Sequence, residues 1–87
     1  MTAGHGVVGS PGAILLSEVS EEGRYGIAGF VGGEVEVARL HQMGFAVGMP
    51  LSVVSCPSYG MMVIKVGACR MALSPGTTGK ILVKQRG

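Results

Sequence analysis

Apolar residues in this chain come in short runs, and almost every run is interrupted by a glycine, a proline or a serine. Residues 24–31 alternate, with Tyr25, Ile27 and Gly29 on one side and Gly26, Ala28 and Phe30 on the other. A period of two predicts a strand, kinked or bulged at its glycines. Residues 51–55 predict a second strand, with Leu51 and Val53 facing one way. Residues 61–66 predict a third, with Met62, Ile64 and Val66 on one face. Gly67-Ala68 then makes a tight reversal into a strand over 69–73, and a closing strand over 80–84 points Ile81 and Val83 inward. Between the last two, Ser74 can cap a single turn with Pro75 at its first position. Residues 13–19 form a short apolar segment before the first strand, and turns fall at 21–23 and 57–60.

Residues 34–43 carry two patterns at once. Glu34-Val35-Glu36-Val37 alternates like a strand, yet Val37, Leu40 and Met43 share one helical face. Acids early and Arg39 and His41 late suit a helix dipole, and Gly44 is placed to end a helix in the left-handed conformation. The segment is therefore read as a helix, with Glu34 and Glu36 supporting its N-terminus. Five short strands with one inserted helix make a mainly β fold, a small and partly open barrel. Residues 1–12 are glycine-rich and aperiodic and read as a flexible tail; residues 13–87 form one domain.

Composition narrows the function. Of the 87 residues 47% are hydrophobic and 14% charged, too apolar for disorder, and the 16 glycines call for many tight turns. No apolar run approaches the ~20 residues of a membrane helix, and no basic-then-apolar leader opens the chain, so it reads as cytoplasmic. Two cysteines, Cys56 and Cys69, make no disulfide framework and are expected to be small buried hydrophobes. There is no Asp, no serine–histidine–acid set and no phosphate-cradling glycine motif, so no enzyme is expected. Net charge is +2, unevenly spread: all five acids precede Val37, and six of the seven basic residues follow it. That second half could face an acidic partner, RNA or a membrane surface. The basic residues are not clustered in sequence and few aromatics lie among them, so they read as solvated strand positions and nucleic acid is not expected.

Metal is the chemical alternative. His41, Cys56 and Cys69 are the soft or borderline ligands outside the tail, and Fe²⁺ or Zn²⁺ would accept them. Their spacing matches no ligand motif, so they are weak candidates and no cofactor is required. Met43, Met62 and Met71 fall at core-phase positions; Met49 and Met61 flank turns and are expected to be more exposed.

The stretch Arg39-Leu40-x-x-Met43-Gly44-Phe45-x-x-Gly48 resembles the "RLxxMGLxPG" signature of the FeoA family, with Val47 where that family commonly has Pro. Leu51-x-Val53, Ile64-Lys65-Val66, Ala72-Leu73 and Ile81-Leu82-Val83 follow in the family's order. The resemblance implies an SH3-like barrel in bacterial ferrous-iron uptake, acting with the membrane transporter that carries a GTPase domain. It also implies kinship with the C-terminal domain of iron-dependent repressors, hence the alternative of a metal-binding regulatory domain. A homodimer is a further candidate partner. On this reading Met43, Gly44, Phe45, Val47 and Tyr59 form the contact surface, and Phe45 or Tyr59 should be replaceable without unfolding the barrel.

Overall fold

A computed structural model describes residues 12–55 and 61–86. In chain order the elements are β1 (Ile14–Leu15), β2 (Gly23–Phe30), α1 (Glu34–Gln42), β3 (Pro50–Ser55), β4 (Met62–Val66), β5 (Cys69–Leu73), α2 (Pro75–Thr78) and β6 (Ile81–Gln85). A 3₁₀ turn, Leu16–Glu18, follows β1. The strands form one antiparallel sheet in the order β1-β6-β2-β3-β4-β5. The outermost strands β1 and β5 do not pair with each other, so the sheet is not closed. Residues 1–11, the 56–60 segment with the 57–60 turn, and Gly87 lie outside the described residues.

The strand pattern read from alternation holds, with boundaries shifted by a residue. The addition is β1, whose two residues pair with Val83 and Leu82; two residues are too few to display a period. The bulge expected at the glycines of β2 falls instead at Ala28, where the register against β6 slips between Ile27 and Gly29.

One core lies on one side of the sheet. Tyr25, Ile27, Leu51, Val53, Met62, Ile64, Leu73, Ile81 and Val83 come from the strands, Leu16 and Val19 from the 3₁₀ turn and its end, and Leu40 and Phe45 from α1 and the turn after it. Directly paired residues share a sheet face, so the pairs Tyr25–Leu51, Val53–Ile64 and Met62–Leu73 put both members inward. Tyr25 is buried, yet its hydroxyl donates to the Glu21 carbonyl at 3.1 Å, which gives the polar tip a partner.

Burial corrects three sequence expectations. Met43 is 43% exposed, not core. Met49 is partly buried against the core rather than exposed; Met61 is exposed as foreseen. Cys69 is an exposed free thiol rather than a buried hydrophobe. It shares the inward face with Met71 and Leu73, but burial fades along β5 from Leu73 through Met71 to Cys69. Toward the β4–β5 turn, the hairpin runs past the end of the core.

The start of α1 is fastened by a side chain. Gly33 is the N-cap and has no side chain to offer. Instead the Glu36 carboxylate, at the third helical position, accepts the Gly33 N–H at 2.7 Å. This is one half of a capping box, and it bears out the role read for Glu36. The other Glu36 oxygen lies 3.7 Å from the Lys80 ammonium ahead of β6. The Gly33 hydrogen bond first, and Lys80 second, hold the Glu36 carboxyl below its ordinary pKa. A depressed carboxyl contributes stability above its unfolded pKa and loses it as pH falls through the folded one. Glu36→Gln should therefore lower the thermal midpoint at neutral pH. The gap to the parent should close on acidification, as followed by circular dichroism melts across the acidic range.

Candidate functional site

Everything distinctive about the turn after α1 follows from how the helix stops. Met43 is the C-cap. Gly44 follows with φ +99°, its N–H donating to the His41 carbonyl at 3.0 Å, and the Phe45 N–H reaches back to the Leu40 carbonyl at 3.1 Å. These are the two hydrogen bonds of a Schellman motif, which is commonly sealed by an apolar contact between its first and last residues. Here those residues are Leu40 and Phe45, both in the buried cluster and 4% and 1% exposed. The sequence Leu-x-x-Met-Gly-Phe is thus a helix stop with its hydrophobic clasp built in.

Phe45 is therefore an anchor, and its assignment to a contact surface is corrected. A ring with 1% of its surface exposed cannot touch a partner in this structure. The sequence could have shown this, because a large apolar residue directly after the terminal glycine of a helix is the clasp position of that motif.

Beyond Phe45 the chain crosses the surface and joins the sheet. The Gly48 N–H donates to the Ile27 carbonyl at 2.8 Å and the Ile27 N–H to the Met49 carbonyl at 2.9 Å, which ties the turn to β2 just before β3 begins. Gly48 has φ +90°, and a Cβ there or at Gly44 would meet nothing within 4 Å. Backbone conformation, not crowding, requires glycine at both.

With Phe45 pinned, the turn offers two apolar tips. Val47, 64% exposed, borders a shallow groove of about 350 Å³ with Gly26, Ala28, Lys84 and Arg86. Met43 borders another of about 310 Å³ between α1 and α2, with Arg39, Ser74, Thr77 and Lys80. His41 is exposed in the last turn of α1, its ring edge-on to Phe30 at 5.3 Å and 86°. Tyr59 and Cys56 lie outside the described residues. Among the described residues no three His, Cys, Asp or Glu side chains gather as a metal site. No helix of the structure is long and apolar enough to cross a membrane.

A second feature is invisible along the chain and plain in the register. Arg24 pairs with Ser52, Ser52 with Lys65, and Lys65 with Arg70. Continuing the β2–β6 ladder, Arg86 stands opposite Arg24, its N–H donating to the Arg24 carbonyl at 2.9 Å. Four cations and one serine thus form a single row across five neighbouring chain segments on the outer face of the sheet. At the usual strand spacing the row runs roughly 19 Å. It borders a concave region of about 530 Å³ that Arg24, Ser52, Lys65, Gly67 and Arg86 help to line. Arg86 lies across Gly26, where a Cβ would come within 3.0 Å of its side chain. The reading of these residues as unclustered is corrected, since spacing in sequence does not report neighbours across strands. Like charges face each other at Arg24–Arg86 and Lys65–Arg70, and each such pairing costs about 0.2–1 kcal/mol.

A family model, the FeoA domain, matches residues 14–85. The chain belongs to the FeoA domain family. Among solved structures, the crystal structure of an iron uptake regulatory protein, FeoA, superposes with TM-score 0.74 at 26% identity, over 85% of this chain and 99% of that one. The NMR structure of an FeoA-like protein from Clostridium acetobutylicum does so with TM-score 0.74 at 17% identity, over 87% and 90%. A manganese-dependent transcriptional repressor matches with TM-score 0.77 at 16% identity, over 91% of this chain and 45% of its own. That likeness establishes a shared fold. No curated protein matches the chain. The mainly β, SH3-like fold expected from the motif is the fold observed.

Two predictions separate anchor from display. Phe45→Ala should destabilise the fold by about 3–5 kcal/mol, as emptying a buried aromatic site does, while Val47→Ser should leave the denaturation midpoint within experimental error. Gly48→Ala should cost about 1–2 kcal/mol through its positive φ alone, measured by urea unfolding.

Proposed function

We propose that this FeoA-domain protein acts by protein–protein interaction as an accessory of bacterial ferrous-iron transport, in the cytoplasm, against the GTPase-bearing membrane transporter. The observation that carries this reading is the turn after α1. It is held rigidly by the Leu40–Phe45 clasp and the two hydrogen bonds to Ile27, and it presents Met43 and Val47 outward. A preorganised turn loses little conformational freedom on binding, and an exposed Met adapts to varied apolar partners. Family membership and the likeness to an iron uptake regulatory protein direct the choice of partner. The residues support recognition rather than catalysis, because the motif is spent on stopping a helix and displaying a turn.

A second reading, a domain that responds to Fe²⁺ or Zn²⁺, draws on the fold shared with metal-dependent repressors, one of them crystallised with bound Zn²⁺. It would use His41 and Cys69, with Cys56 as a further donor.

Titrating the cytosolic GTPase region of a ferrous-iron transporter into ¹⁵N-labelled protein should shift the amides of Met43, Gly44, Val47 and Gly48. Val47→Ser should weaken the complex. No shift in these amides would rule out the turn as the contact, and a response of His41 and Cys69 to anaerobic Fe²⁺ would favour the second reading instead.

A further inference from the structure

We infer that the row Arg86–Arg24–Ser52–Lys65–Arg70 is a binding site for an extended acidic segment of a partner protein. This face lies on the outer side of the sheet; Arg86 also borders the groove beside Val47, whereas Arg24, Lys65 and Arg70 do not, so a response confined to those three distinguishes this assignment from the contact proposed for Met43 and Val47.

Among the described residues nothing neutralises the row. The chain's five acids all lie between residues 18 and 36, and all are described. Among the described residues the ion pair present is Lys80–Glu36, and neither member belongs to the row. Glu18 is also engaged, accepting the Leu15 N–H at 3.1 Å. Residues 1–11 and 56–60, outside the described residues, contain no acid. Among the described residues no acid forms an ion pair with these four cations, which leaves them open to the carboxylates of a partner.

Directly opposed like charges oppose strand pairing, and a local rule broken twice in one row marks a place where stability yields to function. Three of the four cations are arginines, whose planar forks bind carboxylates through two parallel hydrogen bonds. Gly26 has no side chain where Arg86 crosses the sheet, and Arg86 lines one concavity together with Arg24 and Lys65.

The region is a concavity, which suits a narrow chain better than a flat bilayer surface. Among the described residues no aromatic ring is exposed along the row: Tyr25 beside it is buried and its hydroxyl is committed to Glu21. Single-stranded nucleic acid sites ordinarily add such rings as stacking platforms for bases. A row of cation sites without stacking surface fits a peptide that carries several carboxylates.

The test is fluorescence anisotropy of a labelled octaglutamate peptide with the full chain, in parallel with octauridylate RNA and with phosphatidylserine-containing vesicles. The expected result is peptide binding at low salt that weakens as salt rises, and stronger binding of the peptide than of either alternative. The double substitution Arg24→Gln/Arg86→Gln should lower peptide affinity about tenfold or more, whereas Lys80→Gln, which lies off the row, should retain it. The double variant should melt no lower than the parent, since it removes a like-charge pairing. Should it nevertheless fail to fold, peptide-induced shifts of the Ser52, Lys65 and Arg70 amides in the parent protein decide the matter. Absence of peptide binding at low salt, unchanged affinity in a folded double variant, or tighter binding of RNA or vesicles through the same arginines would overturn the assignment. Self-association abolished by the double substitution would also overturn it, by making a second copy the occupant.

Discussion

The clasp between Leu40 and Phe45 is the contact on which the rest of this structure depends. A nine-residue helix has little stability of its own, and α1 buries fully one residue, Leu40. Its position is set less by a broad packed face than by its two ends. At the front Glu36 accepts the Gly33 N–H; at the back the Schellman hydrogen bonds close over Leu40 and Phe45. Because Phe45 enters the core immediately after the helix stops, the chain reverses at once and arrives beside Ile27 in register for β3. One apolar pair thus determines where the helix ends, where the turn sits and how the second and third strands align.

That arrangement separates buried from exposed side chains within the nine residues from Leu40 to Gly48. Leu40 and Phe45 are spent on burial, and Gly44 and Gly48 on backbone geometry. Met43 and Val47 are left exposed, one on each side of the anchored turn. A surface built this way is apolar without being loose, because the side chain that would otherwise be its largest hydrophobe is the one pinning it. Membership of the FeoA domain family accords with this economy, since the residues that carry the resemblance have structural tasks that can be named.

The outer sheet face follows a different logic. There the register gathers four cations that the chain scatters between residues 24 and 86, and it does so against the electrostatic preference of paired strands. The acids, confined to residues 18–36, serve the ends of helical turns or remain at the surface there, so charge is segregated in space as it is in sequence. The molecule consequently has an apolar turn and a basic row on one small core, meeting at Arg86 beside Val47.

Alternation of apolar residues was enough to place β2, β3, β4, β5 and β6, and the Gly67-Ala68 reversal and the Pro75 turn were legible from local turn chemistry. The helix was legible too, through its acid-to-base gradient and its terminal glycine. Those features are local, written in neighbouring residues. Three outcomes were not local. Phe45 became core because of the direction the chain takes after a left-handed glycine. Cys69 became exposed because burial along a strand ends where the core ends. The basic row formed because antiparallel register brings together residues far apart in the chain. The sequence by itself determined the period of each segment and the positions of the turns; which side chains meet across strands was decided only when the strands paired around the core, since hydrogen-bonded pairing, not chain distance, sets neighbours there.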